Sequence, residues 1–454
     1  MPASINVQAV GDGASISPIS KRVMALMFLV TMIDAYDQVA MTFAAPSLIA
    51  EWGIDKAAMG HVFSVQMFGL LVGGIGFGVL GDRIGRKLSI ILGMLLFGLL
   101  SLATMATADT MQLLVVRFLV GVGVGGVLPN AIALSNEFAP KHFRVTAVSL
   151  MYVGYVCGGL GSGAVAAWML PRFGWEVIFL VGGIVPILLV GVLAFALPES
   201  VHYLATRGTD KKRAEATRIA ALMRPELEIT PQTRIVNDAG TEKLALRELF
   251  VGPLKSMTIL LWLIYVANST TSFALLAWMP IMIRDLGFLH GPATLSTSLM
   301  FAGAAIGGVV AARLTDRAGL RPVVLMPAIG IPFMIGLGFV GGGSPALLYL
   351  VSFGVGFFVA GFQNNLHGVG ASIYPARIRA MGVGWAMGAN RVGGIIGPSL
   401  AGYLMFYGWS SQALCIAISI PLLVSLAAVA MLSGLYQLHV RTGRTGQPAL
   451  ETAH

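Results

Sequence analysis

The sequence predicts an all-α membrane protein of twelve transmembrane helices, arranged as two pseudo-symmetric six-helix bundles. Three observations carry that prediction. First, 56% of the 454 residues are hydrophobic and only 11% are charged, with a mean hydropathy of +0.83; an ordinary soluble domain holds about 25% charged residues. Second, twelve apolar spans can be counted, at 22–45, 58–80, 88–107, 112–134, 145–168, 176–197, 257–282, 294–313, 323–341, 346–367, 381–405 and 411–435. Each is close to or above the ~20 residues that cross a ~30 Å hydrocarbon layer. Third, the halves repeat: Phe143-RVTAVSLMYVGYVCGGLGSG aligns with Ile378-RAMGVGWAMGANRVGGIIGP, and Leu80-GDRIGRK with Leu314-TDRAGLR.

Taken in order, residues 1–20 form a polar tail, 21–198 the first bundle, 199–256 a polar linker, 257–437 the second bundle and 438–454 a polar tail. The linker carries Lys211, Lys212, Arg213 and Arg218 and reads as a cytoplasmic segment with some amphipathic helix. The 57 glycines suit helices that must approach closely in lipid. A net charge of +9 could suggest nucleic acid, but the cations lie in short loops between spans, which is the positive-inside pattern. Even without the linker, 14 Lys and Arg fall in one set of loops against Lys56, Arg172 and Arg284 in the other. Both termini are therefore expected in the cytoplasm, with the first helix as an uncleaved insertion signal. Nucleic acid is excluded as a partner; lipid is expected. Cys157 and Cys415 both fall in apolar spans, so neither a disulfide framework nor a metal site is expected. No Gly-Lys dipeptide occurs, which excludes a P-loop of the form G-x-x-x-x-G-K followed by Ser or Thr; no cofactor is expected. No nucleophile–base cluster emerges, and the chain does not read as an enzyme.

The first span holds only two charges, Asp34 and Asp37, three residues apart and so on one helical face. Each would cost roughly 2.5–3.5 kcal/mol near mid-membrane on insertion scales, which makes an intramembrane acid a functional candidate. The internal repeat places Asn268 opposite Asp34 and Thr271 opposite Asp37, so only one half carries groups that titrate. In a tandem repeat of this kind the binding site lies between the halves, near midplane.

Two further charges sit inside spans. Arg117 in the fourth lies at a height similar to Asp37, and a pair between them is plausible. Arg391 in the eleventh lies ~15 Å from the cytoplasmic end, comparable with the ~18 Å of Asp34. A guanidinium holds a carboxylate through two parallel hydrogen bonds, so Arg391 is the candidate for binding an organic acid or for gating. Tyr36, Phe273, Trp385, Asn268, Gln363, Asn364 and Asn365 could stack on and hydrogen-bond a hydroxylated ring. His367 reads as a loop residue.

Gly78-VLGDRIGRK matches the signature G-x-x-x-D-R-x-G-R-K, and with twelve spans the chain resembles the major facilitator superfamily. The second copy departs, with Ala312 for the first Gly and Leu320 before Arg321. Asp34-AYD with the following Ala45-PSL, Arg117-FLVGVGVGGVLPN, Ser135-NEFAP and Tyr374-PARIRAMGVGWAMGANRVGGIIGP resemble the aromatic acid:proton symporters within it, although Ala35 replaces that family's Gly. The resemblance implies import of a benzoate-like or hydroxybenzoate-like carboxylate with protons across the inner membrane, by a monomer alternating its access. It implies Asp34, Asp37 and Glu137 in proton coupling. It implies a conformational latch of Gly78, Asp82, Arg83, Gly85, Arg86 and Lys87, with Asp316 and Arg317 in the second copy. Two other readings stay open: a proton antiporter exporting drugs or metabolites, or import of a non-aromatic acid such as muconate or shikimate. The stretch Cys157-GGLGSG lacks the Pro of the exporters' fifth-helix motif, which favours symport.

Overall fold

The computed structural model describes residues 4–6, 10, 16–206, 209–227, 229–230, 233–236, 246–341, 344–375 and 377–441. Twelve helices correspond to the twelve spans. They are α1 (Pro18–Trp52), α2 (Lys56–Ile84), α3 (Arg86–Thr104), α4 (Thr110–Phe138), α5 (Arg144–Phe173) and α6 (Glu176–Ala196). The second half holds α7 (Leu254–Asp285), α8 (His290–Ala318), α9 (Arg321–Phe339), α11 (Arg379–Phe406) and α12 (Ser411–Arg441). Its α10 runs as Pro345–Val355, a π-helical turn Gly356–Ala360, and Gly361–Ile373. Among the described residues ten of these are long and apolar enough to cross a bilayer; α9 offers the shorter apolar stretch Val323–Phe339, and α11 carries Arg391 and Asn390.

The surface is that of a protein solvated by lipid. Ile75, Leu188, Phe195 and Leu350 are all more than 60% exposed, while Asp34, Asp37, Arg117 and Asn268 are buried. Polar groups inside and apolar groups outside reverse the arrangement of a water-soluble domain.

The chain divides into two compact units, Met1–Trp52 with Val65–Thr241, and Gly53–Ser64 with Glu242–His454. The first turns of α2 thus group with the second unit rather than with the first bundle.

Within the first unit, glycines set the helix contacts. A Cβ on Gly154 or Gly158 of α5 would strike the Phe28 or Met32 carbonyl of α1. Gly69 and Gly73 of α2 face the Phe118 and Val122 carbonyls of α4, and Gly121 and Gly125 of α4 face Gln66 and Leu70 of α2 in return. Lipid supplies no hydrophobic drive between helices, so association rests on this close van der Waals approach. The second unit repeats the scheme. Gly393 and Gly397 of α11 seat on Val266 and Thr270 of α7, while Gly303 and Gly307 of α8 meet the Phe353 and Phe357 carbonyls of α10, and Gly356 and Gly361 of α10 face Met300 and Gly307 of α8 in return. The internal repeat is therefore written in small residues as well as in the loop signature.

Described parts of the linker and of the amino-terminal tail form regular structure. A helix Asp210–Met223 buries Ala216, Ile219, Ala220 and Met223, as an amphipathic segment should. Ser4–Asn6 pairs in parallel with Arg234–Val236, Ile5 opposite Ile235, in the first unit. The expected polar tail of 1–20 thus contributes a strand, and α1 begins at Pro18. Helix α12 runs to Arg441, and residues 442–454 of the expected tail lie outside the described residues.

Replacing Gly158 by Leu should break the α1–α5 contact, because its Cβ would overlap the Met32 carbonyl and backbone cannot yield as a side chain does. Detergent-solubilised Gly158→Leu should melt well below wild type in a fluorescence thermal scan. Gly161→Leu, whose Cβ meets nothing within 4 Å, should not.

Candidate functional site

In the first unit five helices converge on the acids of α1. Asp34 and Asp37 are almost wholly buried. Asp37 accepts from Arg117 Nη2 of α4 at 3.4 Å, Gln66 Nε2 of α2 at 3.5 Å and Ser101 Oγ of α3 at 3.4 Å. The Arg117 and Asp37 side chains are both fully inaccessible, and the guanidinium lies 5.3 Å from the Phe179 ring of α6. Nε and Nη1 of Arg117 lack hydrogen-bond partners. This ion pair is long and incompletely satisfied, an arrangement whose desolvation is offset only in part. Asp34 accepts from Gln38 Nε2 at 3.1 Å, and Gln38 Oε1 accepts from Tyr155 OH of α5 at 3.2 Å. Both acids therefore sit in hydrogen-bonded settings rather than against lipid. Tyr36 turns elsewhere: its hydroxyl donates to the Ile178 carbonyl of α6 at 3.0 Å.

In the second unit the corresponding positions hold neutral amides and hydroxyls. Asn268 of α7 is fully buried and donates to Gln363 Oε1 of α10 at 2.6 Å and to the Val359 carbonyl at 3.3 Å. Thr271 donates to the Ile418 carbonyl of α12 at 2.7 Å. Asn364 donates to the Ala304 carbonyl at 3.3 Å and Asn365 to Thr315 Oγ1 at 3.1 Å, so both amides tie α10 to α8. Phe273 packs beside Gly394. Trp385 is half exposed and stacks on Trp262 at 6.2 Å. Arg391 is half-buried on α11, two residues before the Gly393 that seats on Val266 and Ser269 of α7. The side chains of Asp316 and His367 lie outside the described residues, and Arg317 is exposed.

The loop signature between α2 and α3 is held by residues that sequence reading did not single out. Gly85 adopts φ +104, and a Cβ there would collide with the Glu199 carboxylate. That carboxylate, just past α6, accepts from the Lys87 backbone N–H at 3.1 Å and the Ser200 N–H at 2.8 Å. An acid at the start of α3 is what a helix amino terminus favours. Burial pushes the Glu199 carboxyl above its ordinary value, the backbone N–H groups of Ser200, Lys87 and Arg86 pull it down, and nearby Glu137 pushes it up again. Arg86 pairs with Glu137 of α4, which also accepts from Ser200 Oγ at 2.6 Å. Lys87 Nζ donates to the Ala194 carbonyl at 2.7 Å, and Tyr203 OH to the Arg83 carbonyl at 3.3 Å. A Cβ on Gly81 would strike Asn130, whereas one on Gly78 would meet nothing. Asp82 is exposed and makes no ion pair among the described residues. Glu137 thus stands with the latch residues, not with the acids of α1.

The model of the Major Facilitator Superfamily matches residues 27–291 and 261–449, most of the chain. The chain belongs to the Major Facilitator Superfamily. It is 33% identical over 436 residues to the 4-hydroxybenzoate transporter PcaK of Pseudomonas aeruginosa, covering 95% of this chain and 96% of that one. It is 32% identical over 431 residues to the gallate transporter of Pseudomonas putida, covering 94% and 95%. Among solved structures, a D-xylose-proton symporter superposes with a TM-score of 0.71 at 18% identity, over 91% of this chain and 97% of that chain, which establishes the fold. This major facilitator protein is therefore a multi-pass membrane transporter and not an enzyme.

Of the residues expected to act together, the structure joins Asp37 to Arg117 and Asn268 to Gln363; it also joins Arg86 to Glu137, which were expected in separate roles. It adds Gln38, Gln66, Ser101, Tyr155 and Phe179 around the acids and Glu199 with Ser200 at the latch. Gln38 follows Asp34 by one helical turn and was open to sequence reasoning; the others come from different helices and gave no local signal. Arg117→Gln should lose about 3–5 kcal/mol, because it strands a buried carboxylate. Adding Asp37→Asn in the same chain should recover much of that loss, read as a double-mutant cycle of thermal stability.

Proposed function

We propose that this transporter imports an aromatic acid together with protons across the inner membrane, by alternating access, with both termini in the cytoplasm. The observation that carries the proposal is the acid pair of α1, withdrawn from lipid, with Asp37 set against Arg117. Relatives that transport 4-hydroxybenzoate and gallate, covered almost end to end, support the substrate class. A D-xylose-proton symporter of the same fold is compatible with proton coupling but does not supply it.

The coupling follows from charge. Asp37 and Arg117 neutralise each other inside the first bundle; a proton on Asp37 leaves the guanidinium uncompensated. A substrate carboxylate supplies the missing negative charge to the carrier, and Arg391 is the group that grips it. With Asp34 and Asp37 offsetting Arg117 and Arg391, the empty carrier and the carrier holding both proton and anion are each balanced, so both reorient readily. A carrier holding one alone retains an unpaired buried charge, which a low-dielectric interior opposes. A ligand shifts the conformational equilibrium only by its differential affinity for the two states, and this balance of charge is the source of that difference.

In proteoliposomes with an imposed inward proton gradient, wild type should concentrate an aromatic acid. Asp37→Asn should abolish that accumulation while retaining exchange of labelled for unlabelled substrate. Accumulation by Asp37→Asn against a substrate gradient would refute the role of Asp37, and efflux under the inward proton gradient would refute import.

The role of Arg391 is tested by changing the ligand. Arg391→Ala should raise the apparent KM for the carboxylate at least ten-fold, while leaving competition by the methyl ester of the same acid nearly unchanged. A loss equal for acid and ester would make Arg391 a packing residue.

A further inference from the structure

We infer that Gln38 is a reversible hydrogen-bond link between Asp34 and Tyr155: a proton on Asp34 turns the Gln38 amide round and frees the Tyr155 hydroxyl hydrogen for an acceptor oxygen of the aromatic acid. The inference rests on the reading of the protein as a proton-coupled carrier and gives one acid of α1 a route to the cargo.

Three groups stand in a row across the α1–α5 contact. Gln38 Nε2 donates to Asp34 Oδ2 at 3.1 Å, and Tyr155 OH donates to Gln38 Oε1 at 3.2 Å. Asp34 and Gln38 are buried, and Tyr155 is half-buried. The direction of this chain is set at its acid end. An ionised carboxylate only accepts, so the amide must present its NH2 to Asp34, and its carbonyl then faces Tyr155. The tyrosine hydrogen is thereby committed to Gln38.

A proton on Asp34 Oδ2 reverses every step. The acid O–H is now a donor and cannot face an NH2 group. A half turn of the amide presents Oε1 to the acid and Nε2 to the tyrosine oxygen, and both hydrogen bonds are kept. The turn exchanges two groups of nearly equal size about a terminal torsion that is broad and roughly two-fold. The Tyr155 oxygen then accepts instead of donating, and its hydrogen is released.

The helices need not move for this. Gly154 and Gly158, on either side of Tyr155, seat on the Phe28 and Met32 carbonyls of α1, and Thr31 Oγ1 donates to the Met151 carbonyl at 2.8 Å. The α1–α5 spacing is thus clamped while the amide turns within it. With Thr31, Leu128, Ile132, Met151 and Tyr152, Tyr155 lines a recess between α1, α4 and α5. The walls that this recess shows are apolar, as expected while the hydroxyl is held by Gln38. Apolar walls with one polar group that can be turned on suit a ring bearing an oxygen.

The ionisable groups gathered here are Asp37 on α1, Arg117 on α4, which pairs with Asp37, and Tyr152 and Tyr155 on α5. Tyr36 of α1 is turned to the Ile178 carbonyl, and α2, α3 and α6 bring the neutral Gln66, Ser101 and Phe179. One proton on either acid balances one bound anion, and the link adds no charge of its own. Because the proton frees the donor that the acid uses, each favours the binding of the other by the same factor.

Binding of labelled 4-hydroxybenzoate to the purified full-length protein in proteoliposomes, from about pH 5.5 to about pH 8.5, tests the link; a carboxylate stays ionised over that range. Wild type should bind more tightly toward the acidic end. Tyr155→Phe should match wild type at the alkaline end and bind about five-fold or more weakly at the acidic end. Gln38→Met should do the opposite. It should match wild type in acid and bind about five-fold or more tightly in alkali, because Gln38 no longer holds the hydroxyl. The double variant should follow Tyr155→Phe at every pH. Should Gln38→Met melt early, Gln38→Leu poses the same question. A loss by the same factor at every pH in Tyr155→Phe, or no loss at any, would overturn the inference. So would weaker binding at the alkaline end by a stably folded Gln38 variant. Proton-driven accumulation by wild type, measured in the same vesicles, keeps the two readings apart: with accumulation intact these outcomes sink the link alone, and without it the import reading falls as well.

Discussion

A carboxylate and a guanidinium held together out of reach of bulk solvent, deep among apolar helices, is the constraint on which the rest of this molecule depends. Burying either Asp37 or Arg117 as an isolated ion would be strongly unfavourable. Together they are tolerated, and the contacts around them are long, between 3.4 and 3.5 Å. Gln66, Ser101 and Phe179 reach the pair from three more helices, so any movement of α2, α3 or α6 relative to α1 alters its solvation. An ion pair tied to that many elements is suited to reporting the conformation of its bundle.

Glycine makes such convergence possible. Side chains from five helices meet at the acids only because the helix backbones approach closely, and Gly158 and Gly73 sit where any Cβ would collide with a neighbouring carbonyl. The second unit uses the same device at Gly393 and Gly307 around a core of amides and hydroxyls. The two halves share a scaffold and differ in what they place inside it. The first sets two acids and Arg117 in its interior, and the second sets neutral hydrogen-bonding groups at the corresponding positions and carries Arg391 on α11.

The loop signature at the end of α2 shows a second use of electrostatics. Glu199 sits at the start of α3 under a glycine with positive φ, and Glu137 joins Arg86 to Ser200. Two carboxylates, a guanidinium and a helix terminus therefore share one corner of the first unit. Burial holds Glu199 toward its protonated form while the backbone N–H groups of the α3 terminus hold it toward the ionised one. A corner balanced in this way is sensitive to small displacements of the helix ends, which is the behaviour a conformational latch needs.

The sequence by itself determined the class of the protein, its twelve spans, its internal repeat and the identity of the intramembrane charges. Those features are one-dimensional: hydropathy must persist for a membrane's width, and a charge within it stands out against apolar neighbours. Helical spacing likewise placed Asp34 and Asp37 on one face. The partners of those charges were decided only in three dimensions. Gln66, Ser101, Phe179, Glu199 and Ser200 are ordinary residues in the sequence, far from the groups they serve, and nothing periodic marks them. Tyr36 and Asn364, which composition made attractive as ligands, proved to be tied to the Ile178 and Ala304 carbonyls of other helices. Hydrogen bonds between helices depend on rotation and height to within about an ångström, and neither quantity is encoded in any local pattern of residues.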